Sequence, residues 1–240
     1  PHTSNMQFGA GLIDFGPDQG SPIPFSHSVH NSALAYVSNM LKTHSTAVTI
    51  THFNSPVWEA LQLAEVWLDS GRFDHVLLGA VDELGEIMLY IFQRCNLISA
   101  ESPSASSVHR RIAGEGAVVL LLSRSNDRSK RFASIASLSK SKSRPGDTDL
   151  ILLDDSGIIP SSASQDGRPY DTSNAASCSH LWGRSPTNSA FSIVSAVLAL
   201  GDSRCLQGFK TRRGESPART PQRIVCADAQ SPAEPFLLEQ

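Results

Sequence analysis

Apolar residues recur at helical spacing from Ser26 onward. Val29, Ala33, Tyr36, Val37, Met40 and Leu41 fall on one face, and Ser26 or Ser28 is placed to cap such a helix. TAVTI (46–50) is short and β-branched, as a buried strand requires. A sharp turn follows at His52-Phe53-Asn54-Ser55. Val57, Ala60, Leu61, Ala64 and Leu68 then return to helical spacing, and Gly71 supplies a left-handed exit. HVLLGAV (75–81) is a continuous apolar run, the pattern of a parallel strand covered on both faces. Strand, helix and strand in this order predict a right-handed βαβ unit.

Residues 1–24 are rich in Gly and Pro around a single apolar cluster, Leu12-Ile13-Phe15, and read as loop with one short helix. Ser99 to Ser107 is irregular and Ser-rich. AGEGAVVLLLS (113–123) is a glycine turn feeding a buried strand, and FASIASLS (132–139) reads as the next strand, antiparallel to it. A polar linker, Lys140 to Thr148, divides the chain into halves, 1–139 and 140–240. In the second half DLILLDD (149–155) is a strand and 156–188 a Ser/Pro/Gly-rich loop. SAFSIVSAVLALG (189–201) is a helix apolar nearly all round, hence buried. A basic, Pro-bearing loop (208–223) precedes RIVCADA (223–229) and PFLLEQ (235–240), which read as a closing hairpin. No short-period repeat is present, but both halves share a weak plan of strand, turn, buried helix and strand.

With 240 residues, 40% of them hydrophobic, the chain can build one large domain or two small ones. The net charge of −3 argues against nucleic acid as an overall partner. Cys95, Cys178, Cys205 and Cys226 have no CxxC spacing, so neither a zinc site nor a disulfide framework is expected, and a reducing cytoplasm fits. No apolar run approaches the ~20 residues that cross a bilayer, and no signal peptide is visible. No cofactor is expected.

Several residue groups invite chemistry. His27 and His30, three apart, lack a third ligand at useful spacing and read as surface or interface residues rather than a metal site. Asn31 is placed to hold backbone at a subunit contact or loop. Ser55 is the hydroxyl of the turn, with His52 three residues back. Without a GxSxG frame it reads as the cap of the following helix, with Trp58 and Glu59 in the first turn. Asp154 and Asp155 point to opposite faces of a strand and do not share one site. Gly114-Glu115-Gly116 lacks the lysine and helix of a phosphate loop and reads as a tight turn.

PFSHSVHNSALAYVSNML, followed by VTITHFNSPVWEALQLAEVWLDSGRFDHVLLGAVDE and AGEGAVVLLLS, resembles the β-ketoacyl synthase superfamily. The closest likeness is to the chain length factors of type II polyketide and aryl polyene synthases. It is good from Pro22 to Ser123 and faint but collinear to the end. There GRSPTNSAFSIVSAVLAL resembles the segment around the family's second histidine. The resemblance implies an α/β thiolase-like fold of mixed sheets and buried helices. The family's leading strands and helices are missing before Pro1, so it also implies a fold incomplete at its N-terminus.

In active ketosynthases the turn after the first strand carries a cysteine at the start of a buried helix, whose dipole favours the thiolate. The resemblance places Phe53 there, and it makes His52, Phe53, Asn54 and Ser55 the wall of an acyl pocket. Two histidines should then assist decarboxylation and hold the oxyanion. Their places fall near Asp154 or Asp155 and at Arg184. With all three positions changed, the resemblance implies a subunit without condensing activity that pairs with an active ketosynthase in fatty acid, polyketide or aryl polyene biosynthesis. Phe53 is either a plug that limits chain length or apolar filling of a lost site. Lys210, Arg212, Arg213, Arg219 and Arg223 either receive an acyl carrier protein or form a solvated linker. The other readings are a stand-alone acyl transferase or hydrolase working through Ser55 or a cysteine, and a decayed ketosynthase fragment.

Overall fold

A computed structural model describes residues 2–51, 56–95, 98, 112–124, 132–137, 150–154, 176–183, 185, 187–211, 221, 223–228 and 236–239. In chain order its helices are α1 (His2–Phe15), α2 (Pro22–Ser28), α3 (Ser32–Met40), α4 (Pro56–Asp69), α5 (Glu86–Arg94), α6 (Ser179–Trp182) and α7 (Asn188–Gly201). The strands are β1 (His75–Asp82), β2 (Gly116–Ser123), β3 (Ser134–Ser137), β4 (Leu150–Asp154), β5 (Ala176–Ser177), β6 (Lys210–Thr211), β7 (Arg223–Asp228) and β8 (Phe236–Glu239). Short 3-10 turns occupy Pro17–Gln19 and Ser203–Gly208. The chain divides into two units, Pro1–Thr51 with Glu83–Asn96, and His52–Asp82 with Leu97–Gln240.

The first unit is helical, and its opening corrects the expectation of a loop. α1 runs fourteen residues despite Gly9 and Gly11. Gly16, at φ 85°, ends it and returns its amide to the Leu12 carbonyl. Phe8 of α1 meets Phe25 of α2 at 5.4 Å between rings. The single helix expected from Ser26 is two helices, because Val29 is extended (φ −78°, ψ 142°). Ser26 and Ser28 do not cap. Their hydroxyls donate back to the Ile23 and Phe25 carbonyls, at 2.8 and 2.7 Å. The apolar stripe read along α3 is not buried; Tyr36, Val37 and Met40 are exposed. TAVTI takes no regular secondary structure and joins no described ladder, so it is neither a strand nor buried.

The second unit holds the core. α4 follows its predicted face, burying Val57, Leu61, Ala64 and Leu68, with Trp58 added. Gly71 takes φ 68°, as a helix exit requires. The Arg124 guanidinium, just past β2, donates to the Leu68 carbonyl at 3.0 Å, a cation on the helix C-terminus. β1 is not parallel. It pairs antiparallel with β2, from His75 opposite Ser123 to Asp82 opposite Gly116. Nor is β1 covered on both faces. Leu78, Ala80 and Val118 are buried, while Leu77, Val81, Val119 and Leu121 are exposed. The βαβ unit is therefore absent among the described residues.

The larger sheet has the order β3-β8-β7-β4-β5-β6 and is mixed. β4 runs parallel to β5 and β7, and the other pairs are antiparallel. The closing hairpin of β7 and β8 forms as expected. β3 pairs with β8 rather than with β2, a correction to the expected neighbour. β5 and α6 lie inside the stretch read as loop. α7 matches its reading and packs on this sheet. Ala190, Ile193, Ala196 and Ala199 on the helix and Leu152, Ile224, Cys226 and Leu238 on the strands are all within 1% of complete burial. Small alanines let the helix approach the strands closely. Each large aliphatic side chain buried there contributes roughly 1.5–3 kcal/mol.

Candidate functional site

In the second unit the N-terminus of α7 meets the end of β1 and the start of β2. β1 delivers Asp82 to this point. Its Oδ2 accepts the Thr187 backbone amide at 2.9 Å and the Thr187 hydroxyl at 2.8 Å. Thr187 is the N-cap residue of α7. Its hydroxyl therefore donates outward to the carboxylate, and the carboxylate also faces the positive end of the helix. Ser185 Oγ lies 3.5 Å from Thr187 Oγ1, and its carbonyl accepts the Asn188 amide at 3.2 Å.

α7 carries buried hydroxyls at Ser189, Ser192 and Ser195, a row at three-residue spacing. Ser192 Oγ accepts from the buried Cys178 thiol at 3.8 Å, and Ser195 Oγ accepts from Trp182 Nε1 at 3.1 Å. These contacts tie α6 and its preceding residue to α7. Because a hydroxyl is not a base for a thiol, the Cys178–Ser192 contact positions the side chains without activating the sulfur.

Two glycine contacts close the site. A Cβ on Gly114 would fall on the Trp182 carbonyl oxygen. One on Gly183, which takes φ 82°, would meet the Gly114 backbone at 2.8 Å. The AGEGA segment therefore lies backbone to backbone against the chain leading into α7. Gly114-Glu115-Gly116, read as a tight turn, is instead a close backbone contact leading into β2. Gly116 begins β2 under the Phe191 ring, whose tip stands 2.8 Å from where a Cβ would lie. Phe191 in turn packs on Trp182, with ring centroids 5.6 Å apart.

His52, Phe53, Asn54, Ser55, Asp155 and Arg184 lie outside the described residues, as do Arg212, Arg213 and Arg219 of the basic loop. Asp154 ends β4, where it pairs in register with Asp228. His27 has a partner of its own. Its Nε2 is 2.7 Å from the Tyr36 hydroxyl, with the rings edge to face, so it links α2 to α3. Among the described residues no cluster of three His, Cys, Asp or Glu side chains is arranged to hold a metal, and no helix is long and apolar enough to cross a membrane. The sequence reading missed Asp82 and Thr187. Both carried signals: an acid closing an apolar strand, and Thr-Asn opening an apolar helix.

No protein-family model and no curated protein matches the chain. Solved structures do. A β-ketoacyl synthase from Burkholderia phymatum STM815 superposes with a TM-score of 0.62 at 12% identity, over 98% of this chain and 71% of that one. The AntDE:AntF structure, a type II PKS acyl-carrier protein in complex with its ketosynthase bound to the hexaketide, superposes with a TM-score of 0.54, again at 12% identity, over 98% of this chain and 70% of that one. The chain therefore has a ketosynthase-like thiolase fold, in line with the resemblance and the mixed sheet.

Proposed function

We propose that this chain is a non-condensing, chain-length-factor-like subunit that pairs with an active ketosynthase in fatty acid, polyketide or aryl polyene biosynthesis. Two things support the reading: the ketosynthase-like fold, and the sequence resemblance that puts Phe53 where those enzymes carry their nucleophile. The chain's first cysteine is Cys95, beyond both α4 and β1, so the turn into α4 supplies no thiol. The positions matched to the two histidines are Asp154 or Asp155 and Arg184, and none of these residue types does the work of a neutral imidazole at that step. The condensing chemistry then belongs to the partner, and this chain contributes to the wall of the acyl pocket. The exposed TAVTI segment and the exposed face of α3 supply a contact surface. An acyl carrier protein delivers the growing chain to the pair.

The test is co-expression with an active ketosynthase of the kind it is proposed to serve. A stable heterodimer is expected, with acyl transfer from an acyl thioester onto the ketosynthase alone, read by intact mass. Failure of the two chains to co-purify refutes the pairing. An acyl adduct on this chain that disappears in Ser55→Ala revives the stand-alone transferase or hydrolase, and soluble protein with no cooperative melt revives the decayed fragment.

A further inference from the structure

We draw no further inference here: the strongest candidate, the exposed apolar face of the antiparallel β1–β2 pair formed by Leu77, Val81, Val119 and Leu121, carries nothing because nothing in the structure shows what covers it.

Discussion

The Asp82 carboxylate at the end of β1 takes two hydrogen bonds from Thr187, a residue 105 positions further along the chain. The antiparallel β1–β2 pair of the first half and the core helix of the second are thereby fixed at one point. Asp82→Ala leaves a part-buried amide and hydroxyl without their acceptor and removes a negative charge from a helix N-terminus. The expected cost is about 1–3 kcal/mol. Asp82→Asn keeps an acceptor oxygen and should lose less. Urea unfolding of the two variants checks the order; an Asp82→Asn protein as stable as the parent refutes a role for the charge, and one as weak as Asp82→Ala refutes a role for the neutral acceptor.

Gly114 and Gly183 make the closest backbone approach in the site. Gly114→Ala drives a methyl into the Trp182 carbonyl, and Gly183→Ala adds strain at φ 82° to its own clash. Each should destabilise by about 2–4 kcal/mol, because both neighbours are backbone and cannot swing aside. Gly79, with nothing within 4 Å of an added Cβ, is the control, and Gly79→Ala should change stability little. Thermal melts of the three variants separate these outcomes.

The fold was legible in the sequence where burial is one-sided or complete over many residues. α4 and α7 each carry nearly four turns of pattern over 14 residues, and both appear as read. β1 was legible as a strand but not as antiparallel, since an apolar run does not name its partner. The exit of α1 was written plainly as Phe15-Gly16-Pro17, a left-handed stop followed by proline. The two glycines inside the helix drew the reading towards loop instead. TAVTI shows a different limit. β-branched residues favour extension, yet a ladder needs a second strand, and local sequence does not contain one. At the site, the glycine contact and the Asp82–Thr187 pair join segments about 70 and 105 residues apart, a relation that only the tertiary fold creates.

Asp202, after α7, gives a pH-dependent contribution of known sign. Arg204 donates to its carboxylate through Nε and Nη2, at 2.9 and 2.6 Å, and through its backbone amide. The side-chain hydrogen bonds, followed by the backbone one, hold the Asp202 carboxyl below its ordinary value of 3.8. A depressed carboxyl stabilises the folded state above its unfolded value, and that contribution is lost as pH falls through the lower, folded one. Asp202→Asn should therefore flatten the decline in melting temperature below pH 3.8 while leaving the neutral-pH slope unchanged. A variant whose acid limb overlays the parent's excludes the pair as a contributor.

Phe53 decides between gating and filling, which predict different products from the same substitution. As a plug, its ring limits the room for the acyl chain. In the proposed pair with a ketosynthase, Phe53→Ala should then shift the products to greater length by one or more two-carbon units, with turnover retained. As filling, the same change removes a buried ring at a cost of about 3–5 kcal/mol and leaves product length where it was. Mass spectrometry of products released by the pair, beside a melt of the variant complex, reads both. Unchanged length with a large loss of stability assigns Phe53 to packing alone. Longer products from a complex that melts close to the parent assign it to chain-length control.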